Sequence, residues 1–366
     1  MRDQNAEQLL AKVMDWREEA SVRNTVPKLQ LLADFKYDHY KRFSPGKRFV
    51  ESLALWLKQF DDADKNNALE FVLQRMIFIS DPEFSHLVQT AYPDLILQER
   101  MRLVGEELRI QSHRVRTIAE SRRFTELGLK SLYLGLSDGA RTDELRRASS
   151  GEISNEQIWQ AYELGAEKIK DMRSELNKAL EREGFNVSGP KFNLIWLIDD
   201  FSGSGNTYIR PGDDGQGFKG KIKKVYEELH RGELIDPSHY EVFLLLYVAT
   251  RQAIDHIEYW SERFASERGY KPLTLKVLSI IERDLSVNDD PLLSEILKND
   301  RYNDDRASDK HFRVGGTEDP RRGFAACGLP LVLSHNAPNN SVYILWGPET
   351  FSFFGLFPRV SRHREF

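Results

Sequence analysis

Four blocks of nearly unbroken apolar residues constrain what this chain can fold into: "SLYLGL" from Ser131, "KFNLIWLIDD" to Asp200, "EVFLLLYVAT" to Thr250 and "LTLKVLSII" to Ile281. Each has the length of a strand. A strand with one wet face alternates apolar and polar residues; a strand apolar throughout has both faces covered. Helical patterns lie between the blocks: "TDELRRA", "NEQIWQAYELGAEKIKDMRSELNKALEREG", "IKKVYEELHRG" and "RQAIDHIEYWSERFASE". Strand and helix in alternation predict an α/β fold, a parallel sheet flanked by helices.

Residues 1–110 carry a different grammar. "RFVESLALWLKQF" sets Phe49, Leu53, Trp56, Leu57 and Phe60 on one helical face, and the following stretch repeats the spacing with Ala68, Val72, Met76 and Ile79 up to a break at Pro82. These stripes read as core. The chain of 366 residues exceeds what one core usually needs, so an all-α N-terminal domain over 1–128 and an α/β domain over 129–366 are expected. The arginine-rich stretch 111–128 reads as a solvated face, with phosphate contact as the alternative. Residues 288–326 are polar and acidic and read as an irregular excursion or lid, while "GLPLVLSH" and "SVYILWG" read as strand-like.

A net charge of −5 argues against a general nucleic-acid binder. The single cysteine, Cys327, precludes an intramolecular disulfide and fits a reducing cytoplasm. The opening "MRDQNAEQLLAKVMDW" has no secretory pattern, and no apolar run approaches a bilayer span, so a cytoplasmic protein without a membrane partner is expected.

The chemistry concentrates in "NLIWLIDDFSGSGNT", residues 193–207. In parallel sheets ligands bind beyond the carboxyl ends of the strands, where Asp199 and Asp200 fall. Ionised carboxylates accept hydrogen bonds and suit a vicinal diol such as that of a ribose. Ser202, Gly203, Ser204, Gly205, Asn206 and Thr207 offer backbone N–H groups with little side chain in the way, an anion cradle if a helix starts there. Diol beside monophosphate describes a ribose 5-phosphate. A Walker A loop needs a Gly-Lys-Ser/Thr ending that is absent, and "GSGNTY" lacks the third glycine of the dinucleotide fingerprint. A plain strand-to-turn with solvated aspartates is the bland alternative.

The string "IWLIDDFSGSGNT" resembles the phosphoribosyl-diphosphate (PRPP) signature of type I phosphoribosyltransferases, with Ser202 polar for its position and Ser204 where threonine is commoner. The resemblance implies a pyrophosphate-holding loop after an earlier strand, here Ser137, Asp138, Gly139, Ala140 and Arg141, although "SDG" is also an ordinary turn. It further implies Mg²⁺ bridging pyrophosphate and hydroxyls, with no protein metal ligands assigned. Together with "LPLVLSHNAPNNSVYILW" and "FPR", the signature is similar to the phosphoribosyltransferase-like proteins (PRTase-CE) of bacterial antiphage conflict systems, including some retrons. That resemblance implies an effector acting on PRPP or a nucleotide at the anomeric carbon by transfer or hydrolysis. The alternative is an inactive nucleotide or PRPP sensor or scaffold that meets a protein or nucleic-acid partner through its helical domain; a homo-oligomer is compatible with either.

By analogy with the hood of this fold, His335, Asn336, Asn339 and Asn340 would read a nucleobase or other acceptor, with His335 as acid or base; Pro-Asn-Asn is equally a turn. Trp346 reads as core, and Arg359, Arg362 and His363 as a charged tail or phosphate contacts. Asp255, His256 and Glu258 read as a solvated helix face. One departure stands out. "YIRPGDDGQGFKGK" interrupts the helix expected after "SGSGNT", either as an insertion over the site, with Lys219 and Lys221 near phosphates, or as a modified cradle. A second is the largely helical pattern where related enzymes carry a catalytic hairpin.

Overall fold

The computed structural model describes residues 3–17, 19–43, 46–212, 215–308 and 310–359. Its contacts group into two compact units, one from residues 85–281 and one from residues 1–84 with 282–366. The boundary expected at 128 therefore falls inside the first of these.

Unit 85–281 is the α/β fold that the apolar blocks predict, a five-stranded, wholly parallel sheet flanked by helices. Its strands are β1 (Ser131–Gly135), β2 (Ile158–Gln160), β3 (Leu194–Ser202), β4 (Glu241–Thr250) and β5 (Thr274–Ile281), in the order β2-β1-β3-β4-β5. The helices between them are α1 (Thr142–Ala148), α2 (Ala166–Arg182), α3 (Lys221–Arg231) and α4 (Arg251–Arg268). All of β1 and residues 194–199 of β3 are buried, as are Val242–Thr250 of β4, which is why these runs carry no alternation. Trp196 and Phe243 stack across β3 and β4 with ring centroids 4.5 Å apart. Edge strand β5 is mostly half-buried, and its Lys276 ammonium pairs with Glu99.

Strand β2 falls inside a stretch whose pattern predicts helix. "IWQ" continues an apolar count that also suits a helix, but it pairs beside β1 as a three-residue edge strand, and α2 begins only at Ala166. The basic stretch takes the solvated reading: Arg116 pairs with Glu120, and Arg123 with Glu107 and Glu126.

In the other unit the N-terminal helices share one core with the C-terminal segment. Trp56 Nε1 donates to the Ile344 carbonyl at 2.9 Å, and Phe49 stacks on Phe357 at 5.7 Å. A two-stranded parallel pair, Ile77–Ile79 with Leu331–Leu333, joins the same regions. Ile79 is thus in a strand, since the helix Asp62–Gln74 has already ended, and Pro82 sits in the first turn of the helix Asp81–Ala91 rather than breaking one. "YILW" is a short helix, not a strand, and Trp346 is buried with its indole N–H on Ser341 O at 2.8 Å. Residues 288–308 and 310–326 form short helical pieces, among them Ser294–Lys298 and Lys310–Val314, with Leu293, Ile296, Leu297 and Tyr302 inside that core. Among the described residues no helix is long and apolar enough to cross a membrane.

Candidate functional site

Register places the two candidate loops together. β1 ends at Gly135 opposite Ile198, while β3 runs on beside β4 to pair Ser202 with Ala249. The last residues of β3 thus have no β1 neighbour, and the 136–141 loop takes that flank, starting with Leu136 N–H on Ile198 O at 2.8 Å. Tyr247 of β4 donates to Ala140 O at 3.0 Å from below and fixes the loop's height. Gly139 lies so close to Asp200 that a Cβ there would sit 2.3 Å from its Oδ2. No other residue fits without moving the carboxylate.

The two aspartates are not equivalent. Alternation along β3 turns Asp199 inward and leaves Asp200 partly exposed. Asp199 Oδ1 accepts from Ser137 Oγ and from the Asp200 N–H at 3.1 Å. Its Oδ2 accepts from Tyr208 OH at 2.8 Å and from Lys221 Nζ at 2.7 Å. Burial pushes the Asp199 carboxyl above the usual range, the Lys221 ammonium pulls it back, and Asp200 adds to the rise. Burial and the adjoining Asp199 carboxylate hold the Tyr208 phenol well above its ordinary value, so it remains a donor. Asp200 accepts the Phe201 N–H on Oδ1 at 2.8 Å, the geometry of a strand end turning into a loop.

The "SGSGNT" segment is a buried turn, with Thr207 exposed at its end. Thr250 serves two elements at once: its Oγ1 accepts from Ala253 N–H as the N-cap of α4 and donates to Gly203 O at 2.6 Å. Gly205 has φ +79° and lies against α4, where a Cβ would meet His256 Cδ2 at 2.8 Å. His256 is turned inward, with Nε2 on the Ile209 carbonyl at 2.8 Å, and burial lowers its pKa. The expected solvated face therefore holds for Asp255 and Glu258 but not for His256.

No helix starts at Thr207; α3 begins at Lys221. Yet Lys221 N–H bonds Thr207 O at 3.1 Å and Ile222 N–H bonds Tyr208 O at 2.9 Å. The chain leaves at Ile209, makes a small antiparallel hairpin (Arg210–Pro211 with Phe218–Lys219), and returns to the place it left. Gly220 makes the return possible, with φ +128° and no room for a Cβ, which would lie 2.3 Å from the Tyr208 carbonyl oxygen. The interruption is thus an insertion looped out of the start of α3, and its return delivers Lys221 to Asp199. Lys219 is exposed and lines a cleft of about 490 Å³ with Lys223 and Arg268.

Around the loop after β1, Ser137 Oγ also accepts from Gly139 N–H at 3.2 Å, Asp138 is exposed and accepts from Tyr162 OH at 2.8 Å, and Arg141 pairs with Glu144 at 3.4 Å. His335, Asn336, Asn339 and Asn340 belong to the other unit. There the His335 carbonyl accepts from Arg42 Nε at 3.0 Å, Asn339 O accepts from Phe324 N–H, and Asn340 Nδ2 reaches Phe324 O at 3.2 Å. Asn336 Oδ1 is buried with no hydrogen-bond partner. Arg359 N–H bonds Trp346 O, whereas Arg362 and His363 lie outside the described residues.

The Mg²⁺ implied by the resemblance can be tested against these donors. A carboxylate has about four acceptor sites, and the four donors on Asp199 occupy them. Among the described residues no three His, Cys, Asp or Glu side chains gather as a metal site. Asp199 therefore does not fit an inner-sphere metal ligand.

The roles of Tyr208, Tyr247, Thr250 and His256 were not legible in sequence, because each acts through a tertiary contact from a position that reads as core or helix. Lys221 left a trace, as a cation beyond a glycine-rich interruption.

A family model, PRTase-CE, matches residues 53–359 of the chain. Neither the curated proteins nor the solved structures give a significant match.

Proposed function

The chain belongs to the PRTase-CE family, and from that membership we propose that unit 85–281 binds a phosphoribosyl compound, PRPP or a nucleotide, at the carboxyl edge of its sheet. The observation that carries the proposal is the packing of Asp200 against Gly139, which sets the β1 and β3 loops side by side at that edge. Asp200 takes the ribose hydroxyls. The turn Ser202–Thr207 takes the 5′-phosphate through its backbone, and Ser137–Arg141 faces the pyrophosphate or its equivalent. Asp199 organises the edge from beneath. The reaction is transfer or hydrolysis at the anomeric carbon, and the biological setting is bacterial antiviral defence, where the chain serves as an effector.

One observation favours a second reading, a sensor that binds without turnover. Asp199, one of the two acids expected to hold the ribose diol, has its acceptor sites filled by the protein itself. Calorimetric titration with PRPP and nucleotides, run beside product analysis by mass spectrometry, separates the readings. Binding with release of free base or pyrophosphate supports the effector; binding with the ligand recovered intact supports the sensor. If wild type and Asp200→Asn bind neither ligand class, or bind equally well, the site is misassigned.

A further inference from the structure

Lys221 puts a positive charge directly on Asp199. Its ammonium is 2.7 Å from Asp199 Oδ2 and 5.2 Å from the centre of the Tyr208 ring, with its side chain 29% exposed, so it is neither sealed in nor merely at the surface. Its backbone is fixed by the bond to Thr207 O, the last residue of the cradle. A cation beside a strand-end carboxylate, on a backbone anchored to the last residue of the turn, balances the acid as a divalent ion would and leaves positive charge for an anion.

We propose that Lys221, delivered by the 210–219 hairpin, replaces the divalent cation at this site, so that a sugar phosphate binds in a metal-independent way. The inference rests on the phosphoribosyl reading for its ligand but not for its metal half. Removing Lys221 opens Asp199 Oδ2, and the site then accepts a divalent ion that the wild type refuses. Such an ion would take the Asp199 oxygen that the Lys221 ammonium leaves.

The test uses the full chain and two probes. Mn²⁺ alone, followed by electron paramagnetic resonance, reads metal occupancy without a ligand. Ribose 5-phosphate, followed by calorimetry in EDTA and in Mg²⁺, reads ligand binding without the pyrophosphate that would carry its own metal. Wild type is expected to leave Mn²⁺ free and to bind ribose 5-phosphate equally in both media. Lys221→Met is expected to lose about tenfold or more in affinity in EDTA, the loss of one charge-assisted bond, and to recover part of it in Mg²⁺ while retaining Mn²⁺. Lys221→Arg, which keeps the charge should the methionine variant fail to fold, is expected to stay metal-independent. Stoichiometric Mn²⁺ on the wild type, or ribose 5-phosphate binding that collapses in EDTA, overturns the proposal. If the wild type binds no ribose 5-phosphate in either medium, the phosphoribosyl reading fails, while the Mn²⁺ comparison of wild type with Lys221→Met still decides the metal half.

Discussion

Replacing Lys221 by methionine should destabilise unit 85–281 in a manner that depends on pH. The substitution keeps the length and the apolar stem and removes only the ammonium. Asp199, 1% exposed, would keep Ser137, Tyr208 and the Asp200 N–H but lose the ammonium that neutralises it. Stripping one partner from a buried ion pair costs about 3–5 kcal/mol, and one hydrogen bond to a charged group is worth about 1.5–3. Three donors remain and Lys221 is 29% exposed, so the smaller figure applies, about 2 kcal/mol near neutral pH. For a unit of this size that lowers Tm by roughly 4–8 °C. The sign with pH follows from Asp199, whose folded-state pKa is already raised and rises further without Lys221. A carboxyl with a raised folded pKa contributes stability that is full below its unfolded value, near 4, and is lost as pH climbs through the folded value. The gap between variant and wild type should therefore be small at about pH 5 and widen towards pH 8. Thermal unfolding followed by circular dichroism across that range measures it. A gap that is constant with pH, or a variant as stable as wild type at pH 8, would refute the buried pair.

Gly205→Ala combines a positive φ with a Cβ 2.8 Å from His256, and should cost roughly 1–2 kcal/mol in urea denaturation; an unchanged midpoint would show that the turn adapts. Thr250→Val removes both the α4 cap and the bond to Gly203 O, for a loss of about 1–2 kcal/mol, with faster amide exchange at the start of α4 as the local readout. Gly139→Ala should displace Asp200 and weaken PRPP or nucleotide binding by about tenfold or more while leaving Tm nearly unchanged, because the loop is partly exposed; equal affinity in calorimetry would separate Asp200 from the ligand. Asp199→Asn together with Lys221→Met should recover most of the stability lost in the single lysine variant, since no charge is left buried.

The parallel sheet was legible because burial on both faces writes itself as apolar runs, as in β1, β3 and β4, and the half-buried edge strand β5 left a similar run. Strand β2 left none: three edge residues take their conformation from pairing with Tyr133–Gly135 rather than from their own pattern. The signature loop was legible as a strand end that carries two adjacent acids ahead of small residues. The inequality of its two aspartates was not, because only the pleat and the register against β4 decide which one turns inward. Nor was the pairing of the first 84 residues with the last 85, since Trp56 with Ile344 and Phe49 with Phe357 are contacts between distant segments. What the sequence determined alone is therefore local: strand blocks, helix faces and a strand end with two acids ahead of small residues. What the tertiary structure decided is which charges meet. The Lys221 ammonium reaches Asp199 because the hairpin closes on its own starting point, a return that glycine-rich composition permits and that only the bonds to Thr207 and Tyr208 fix in place.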